Sequence, residues 1–155
     1  MRLWRLSHAR HARAFDGGFG LVSSGRWNSV GRPVTYCSTV PSLCALEKRV
    51  HYRSLDLLPP QHMVEYLVPD DLPFMEIGFP DLAQDWHHRD GYTRRLGDAW
   101  LDGQEGALLL VPSVIVQLPP AQDRNALINH RHPDSARIEI VDVTPFDLDV
   151  RLFVT

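Results

Sequence analysis

The sequence predicts a single α+β domain, residues 1–155, in which short strands outnumber helices. The chain has 155 residues, the usual size of one domain. Hydrophobic residues make up 44% of it and charged residues 23%, which is typical of globular proteins and excludes collagen-like, coiled-coil and disordered chains. Short apolar and β-branched segments bounded by Pro and Gly indicate strands, and the two helical segments do not alternate regularly with them.

The elements follow from local patterns. Strands are predicted at 2–6, 33–38, 62–68, 74–77, 107–111, 136–143 and 148–154. The 107–111 segment is wholly apolar, so it reads as a buried central strand, which 114–118 can continue past Pro112. Helices are predicted at 41–52, with Pro41 in the first turn and Thr39 or Ser38 as cap, and at 92–101. Segments 16–20, 23–25 and 119–135 are predicted loops.

The cysteine count and hydropathy indicate a cytoplasmic protein. Cys37 and Cys44 form no CxxC pair, so we interpret them as small core residues of a protein in a reducing compartment. No apolar run approaches the length of a membrane span, and the N-terminal segment lacks the apolar region of a signal peptide.

Charge is distributed unevenly along the chain. Residues 1–60 contain nine basic and three acidic residues, whereas residues 61–155 contain seven basic and 16 acidic residues. The basic part could bind an anionic ligand, since arginine suits phosphate groups, or the two parts could attract each other across the fold. The net charge of −3 and the lack of a basic stripe with aromatic residues argue against nucleic acid.

Glu47 is the most informative residue of the first predicted helix. Leu43, Leu46 and Val50 form an apolar stripe at helical spacing, and Glu47 falls within that stripe. We therefore expect its carboxylate to point toward the core side. A buried carboxylate needs a partner or a function, so Glu47 either forms a structural ion pair or belongs to a site.

Three further residues are candidates for a site. Arg26 follows Gly25, just after a glycine-rich loop, and either faces solvent or binds a phosphate. Tyr36 lies on a predicted strand, as a core residue or as a stacking platform. Ser113 ends the buried strand, as a turn residue or at the edge of a cleft, but no GxSxG motif marks it as a nucleophile. The eight histidines lack the spacing of a zinc site, so no metal is predicted.

Two stretches of the sequence carry recognisable motifs. The first, SSGRWNSVGRPVTYCSTVPSLCALEKRVHY, has a Gly-Arg-Trp-Asn turn, a strand ending Tyr-x-Ser and a helix with Ala-Leu-Glu. The second, LLLVPSVIVQLPPAQDRNALINHRHP, has an apolar strand ending Val-Pro-Ser and an Asn-x-Leu-x-Asn segment. Together these stretches resemble the two signatures of the RES-domain family. The opening LWRL also resembles the family's start, and His130 stands where the family usually has proline.

The resemblance implies a fold, a substrate and site residues. RES-domain proteins are toxins of RES–Xre toxin–antitoxin pairs, with an ADP-ribosyltransferase-like split β-sheet flanked by helices, and they act on NAD+ as substrate. The family's catalytic residues carry over onto Arg26, Tyr36, Glu47 and Ser113. Arg26, Asn28, Ser38 and Asn129 are expected to bind NAD+, and no metal is required.

The resemblance also leaves alternatives open. Expected activities are ADP-ribosylation of a protein, such as phosphoribosyl pyrophosphate synthetase, and NAD+ degradation with water or phosphate as acceptor. An inactive nucleotide-binding module and a purely structural or interaction module are the other hypotheses. The implied partner is an Xre-like helix-turn-helix antitoxin, and neither a membrane nor direct nucleic-acid contact is expected.

Overall fold

Seven strands form one mixed sheet in the computed structural model of the chain, which describes residues 1–119 and 122–154. The strands are β1 (Arg2–His8), β2 (Val34–Ser38), β3 (Gln61–Leu67), β4 (Met75–Glu76), β5 (Leu108–Pro112), β6 (Arg124–Asn129) and β7 (Glu139–Pro145). Their order in the sheet is β4-β5-β6-β2-β1-β3-β7, and β4 is parallel to β5 while the other neighbours are antiparallel. The helices are α1 (Gly18–Val22), α2 (Pro41–His51) and α3 (Asp90–Gly103).

The sheet is split between β1 and β2. These two strands share a single residue pair, Trp4 with Ser38. In contrast, β1 pairs with β3 along its whole length, and β2 pairs with β6 along its whole length. Two half-sheets result, which we call the β2-side half (β4, β5, β6, β2) and the β1-side half (β1, β3, β7). The predicted α+β class with a split sheet is confirmed.

Apolar clusters hold the helices against the two halves. Next to α3, Trp27, Trp86, Trp100 and Leu127 form a buried cluster on the β2-side half. Next to α2, a smaller cluster holds Leu6 of β1, Cys44 and Leu148. Removing this apolar surface from water stabilises the fold by roughly 25 cal/mol per Å² of buried area, and the contacts fix the positions of α2 and α3 relative to the sheet.

Most predicted elements lie where the sequence placed them. Strands β1 to β5 and β7 and helices α2 and α3 are confirmed, with shifts of a few residues at their ends. The predicted loop at 16–20 is wrong in part, because α1 begins at Gly18. Both cysteines are buried free thiols, as predicted. The predicted cap of α2 is wrong, because Val40 is the N-cap residue and makes no side-chain cap, while the Thr39 hydroxyl instead bonds the carbonyls of Gln122 and Arg124.

Three predictions for the later part of the chain are wrong. The predicted loop at 119–135 contains strand β6. Residues 120 and 121 of this segment lie outside the described part of the chain, as does residue 155 of the predicted domain. Segment 114–118 is not a strand, because the Ser113 hydroxyl accepts hydrogen bonds from the backbone of Ile115 and Val116 and turns the chain. Segment 148–154 contains the 3₁₀ helix Val150–Phe153 instead of a strand.

In residues 1–119 and 122–154, no helix combines the length and the apolar character needed to cross a membrane.

Candidate active site

A cleft of about 730 Å³ opens where the two half-sheets part. Its walls come from β1, β2 and α2, from the start of α1, and from the turn at residues 25–27. This volume lies within the range of small-molecule and cofactor sites. The split in the sheet therefore creates the place where a ligand can enter the fold.

The turn at residues 25–28 is built so that Arg26 projects into the cleft. The Gly25 amide donates both to the backbone oxygen and to the side-chain oxygen of Asn28, at 3.0 and 2.9 Å. The Trp27 side chain is buried in the cluster beside α3. A Cβ at position 25 would lie 2.6 Å from the Tyr36 hydroxyl, so only glycine fits there. With Trp27 and Asn28 turned inward, Arg26 is left to line the cleft.

Tyr36 connects this turn to strand β2. Its hydroxyl donates to Asn28 Oδ1 at 2.8 Å and accepts from the Trp27 amide at 3.1 Å. Burial raises the pKa of the Tyr36 phenol well above its ordinary value, so the phenol stays protonated. Its ring meets Phe19 edge to face, with centroids 5.8 Å apart, and lines the cleft.

Arg26 is held by an acidic partner at the start of α3. Its Nη1 lies 2.9 Å from Asp90 Oδ1 and donates to the carbonyl of His87 at 3.3 Å. Both Arg26 and Asp90 line the cleft, and Asp90 is the more exposed of the two. Because the pair is partly exposed, its net stabilisation is about 1 kcal/mol or less, and an anionic ligand can compete with Asp90 for the guanidinium.

Glu47 lines the cleft from α2 and is partly buried. Its Oε1 accepts a hydrogen bond of 2.7 Å from Asn125 Nδ2 and one of 3.3 Å from the Ser113 hydroxyl. The predicted apolar stripe is wrong, because Leu46 and Val50 are exposed. The buried face of α2 is instead formed by Leu43 and Cys44, so Glu47 faces the ligand space rather than the core.

Two serines support the carboxylate from behind. Ser113 is fully buried at the end of β5, and its hydroxyl links Glu47 to the turn that follows. The Ser38 hydroxyl donates to Asn125 Oδ1 at 3.1 Å, which orients the amide so that its NH₂ group faces Glu47. Ser38 also lines the cleft, whereas Ser113 itself does not.

The two remaining predicted residues are structural in their placement. Asn28 is fully buried and uses its amide in four hydrogen bonds, to Gly25, Tyr36, Ser23 and Ser29. Asn129 is fully buried at the end of β6. It donates to the carbonyl of Leu101 and accepts from the Arg131 amide. Neither side chain lines the cleft, so the structure does not bring them to a ligand.

Comparisons with known proteins agree with this architecture. The RES domain family model matches residues 2–149. The chain belongs to the RES-domain family. It is 36% identical to "Toxin Res" of Pseudomonas putida, over 99% of this chain and 100% of that one. It is 35% identical to the "Prs ADP-ribosylating toxin" of a Sphingobium species, over 96% and 94% of the two chains.

The fold of this RES domain also resembles a solved structure. A chain of the M. tuberculosis MbcT–MbcA toxin–antitoxin complex superimposes with a TM-score of 0.73, covering 98% of this chain and 86% of that one. The sequences are 17% identical, so this likeness concerns the fold.

The RES-domain fold brings together most of the residues that the sequence singled out. Arg26, Tyr36 and Glu47 line one cleft although they come from a turn, a strand and a helix, and Ser113 bonds Glu47 from behind. Sequence reasoning missed Asn125, which makes the shorter hydrogen bond to Glu47. The only signal for it was the apolar run at 126–128, which marks β6 as a strand and places Asn125 at its start.

Proposed function

We propose that this RES-domain protein is a toxin that cleaves the nicotinamide–ribose bond of NAD+ and transfers the ADP-ribosyl group to a protein acceptor. The observation that carries the proposal is the Glu47 carboxylate, which faces a nucleotide-sized cleft and is held there by Asn125 at 2.7 Å. The relative from Sphingobium, named an ADP-ribosylating toxin, supports transfer to a protein.

The reaction breaks the glycosidic bond between ribose C1′ and the nicotinamide nitrogen. The bonding electrons leave with nicotinamide, which departs as a neutral molecule, and positive charge develops on the ribose as in glycoside hydrolysis. A nucleophilic group of the acceptor then bonds to C1′ and releases its proton. The protein must therefore supply orientation and a negative potential beside the developing cation.

The residues of the cleft fit these requirements. The Glu47 carboxylate provides the negative potential and accepts a hydrogen bond from a ribose hydroxyl. Its position is set by Asn125 and Ser113, so the charge needs little rearrangement as the reaction proceeds. Ser113 acts as a positioning residue, since its hydroxyl is already engaged with Glu47 and two backbone amides and is no free nucleophile.

The other wall of the cleft holds the rest of the dinucleotide. Arg26 exchanges Asp90 for the pyrophosphate, whose planar pairs of oxygens match a guanidinium. Tyr36 packs against the nicotinamide or its ribose, and Ser38 borders the same space. Asn28 contributes indirectly, because it fixes the turn from which Arg26 projects.

The proposed setting is a toxin–antitoxin pair in the cytoplasm. The fold neighbour was solved in a toxin–antitoxin complex, which supports an antitoxin partner for this chain. From the family resemblance we expect that partner to be an Xre-like helix-turn-helix protein that blocks the cleft, and the acceptor to be a protein such as phosphoribosyl pyrophosphate synthetase.

The test is substitution of the central carboxylate. Glu47→Gln keeps the shape and the hydrogen bond from Asn125 but removes the charge, so we expect normal folding and loss of nicotinamide release from NAD+. The matched control is Glu105→Gln, which makes the same change at an exposed residue outside the cleft. Nicotinamide release by Glu47→Gln at the wild-type rate would refute the role of Glu47.

The acceptor is identified separately. Purified protein is incubated with labelled NAD+ and bacterial lysate, and the products are analysed by mass spectrometry. A stable ADP-ribosyl adduct on a protein supports the proposal. Free ADP-ribose or ADP-ribose phosphate as the only product would contradict the transfer to protein and favour degradation with water or phosphate. Binding of NAD+ without any nicotinamide release would indicate an inactive module.

A further inference from the structure

Lys48 is the one lysine of the sequence, and the other 15 of its 16 basic Lys and Arg residues are arginines. Lys48 follows Glu47 on α2, lines the cleft and is partly buried. Within residues 1–119 and 122–154 its ammonium group has neither a hydrogen-bond partner nor a carboxylate partner. A lysine in a cleft without such a partner is unusual, because the partly desolvated charge raises the free energy of the fold.

A second cation of the same cleft comes from β1 and has no carboxylate partner in the described part of the chain. Arg5 lines the cleft, and its Nη2 donates to backbone carbonyls at 3.0, 3.2 and 3.4 Å, those of Ala14, Ala12 and His11. Its Nε is buried and has no hydrogen-bond partner among the described residues. The side chain is thus anchored by backbone carbonyls and lies over the Tyr66 ring, 5.8 Å from its centroid, but its charge is not paired with a carboxylate of the described residues.

The two cations influence each other. Burial, and next the charge of Arg5, lower the pKa of Lys48 from its ordinary value. Some arginines of the molecule have carboxylate partners, as Arg32 has Asp102 and Arg137 has Asp71, whereas Arg94, which also lines the cleft, donates its Nε to the carbonyl of Gly25. A pair of like charges kept together without a counter-ion is stabilised when an anion binds between them.

We propose that Lys48 and Arg5 form a second anion-binding subsite of the cleft, which takes a phosphate group. Arg26 comes from a turn beside the β2-side half, whereas Arg5 belongs to the β1-side half, so the two subsites lie on different walls. The three donors of an ammonium group match the oxygens of a phosphate. The phosphate can be free inorganic phosphate or part of the pyrophosphate of a nucleotide. The inference does not depend on NAD+ cleavage, because binding is measured without NAD+.

The experiment measures binding of inorganic phosphate and of ADP to the full chain by titration calorimetry at fixed ionic strength. We compare the wild type with Lys48→Met, which keeps the length of the side chain, and with Lys48→Arg, which keeps its charge. Arg53→Met is the control, since it makes the same change of charge at an exposed residue outside the cleft. Thermal unfolding of each variant verifies the fold.

We expect Lys48→Met to lower the affinity for the anion by about tenfold or more, as for loss of one charge-assisted hydrogen bond. Lys48→Arg should retain most of the wild-type affinity. Loss of phosphate binding identifies free phosphate as the ligand, and loss of ADP binding alone identifies the nucleotide pyrophosphate. Both results support the subsite. Unchanged affinity of Lys48→Met for both probes, or an equal loss in Arg53→Met, would overturn it.

A second measurement uses the wild-type protein alone. A low concentration of an amine-acetylating ester modifies Lys48, and peptide mass spectrometry follows the rate at that residue. Phosphate or ADP in the subsite should slow acetylation of Lys48, while chloride at the same ionic strength should not. Equal rates in all three solutions would contradict the proposal without any mutation of the fold.

Discussion

Replacement of Asn125 by alanine tests how the carboxylate of Glu47, which we propose to be catalytic, is held in place. In the structure Asn125 Nδ2 donates to Glu47 Oε1 at 2.7 Å, and Ser113 adds a longer bond of 3.3 Å. The Ser113 hydroxyl also serves the backbone amides at 115 and 116, so it is a weak substitute. The substitution Asn125→Ala therefore leaves Glu47 without its principal support.

The size of the effect follows from this one contact. A hydrogen bond to a charged group contributes about 1.5–3 kcal/mol. If the contact acts in the transition state, its loss slows nicotinamide release from NAD+ by about 10- to 100-fold. Binding of ADP should be unchanged, because Asn125 positions the carboxylate and not Arg26, the proposed ligand of the pyrophosphate. A separate effect on kcat, with ADP affinity preserved, distinguishes positioning from general damage to the cleft.

The control for this experiment is Ser38→Ala. Ser38 bonds the other end of the same amide, so this variant loosens Asn125 but keeps its bond to Glu47. We expect it to slow nicotinamide release by less than about threefold, since a neutral hydrogen bond contributes less. Asn125→Ala with the wild-type rate, or Ser38→Ala with an equal loss, would refute the reasoning.

Two further predictions concern stability. A Cβ at position 97 would lie 1.8 Å from a carbonyl oxygen of the 25–28 turn. Gly97→Ala should therefore lower the free energy of unfolding, measured in urea, by about 3 kcal/mol or more. Gly91→Ala is the control, because a Cβ there would have its nearest atom at 3.7 Å, and it should be neutral or stabilising by up to about 1 kcal/mol. Equal free energies of unfolding for the two variants would contradict the packing argument. Burial lowers the pKa of His130 to about 4, below the roughly 6.5 of an unfolded histidine. The buried neutral imidazole therefore contributes fully to stability above pH 6.5, and this contribution is lost as the pH falls toward 4. His130→Gln should remove about 2 kcal/mol of this pH dependence, after allowance for partial exposure, and an unchanged pH profile of unfolding would count against it.

The sequence predicted those parts of the fold whose signals are local. The apolar segment before Pro112, the β-branched residues of β2 and the proline at the start of α2 act within a few residues, and they marked the elements correctly. Strand β6 was missed because its ends are polar and its pairing is distant. It lies between β2 and β5, and these neighbours, rather than its own composition, make it a strand.

The candidate site was predicted in part, for a similar reason. Residue type and family resemblance singled out Arg26, Tyr36 and Glu47, which the fold places around one cleft. The orientation of Glu47 was predicted toward the core, because helical periodicity does not distinguish a packed face from a face that borders a cavity. The apolar run at 126–128 indicates a strand but does not show where Asn125 points, and the pairing of β6 with β2 brings it to Glu47.

The parting of β1 from β2 after a single pair has a consequence for how such proteins diverge. Each strand keeps an open edge that borders the ligand space, with peptide groups that no neighbouring strand occupies. Those groups belong to the main chain, so replacing a side chain does not remove them. Side-chain substitutions along the two edges should therefore leave the main-chain amides and carbonyls in place for an incoming molecule.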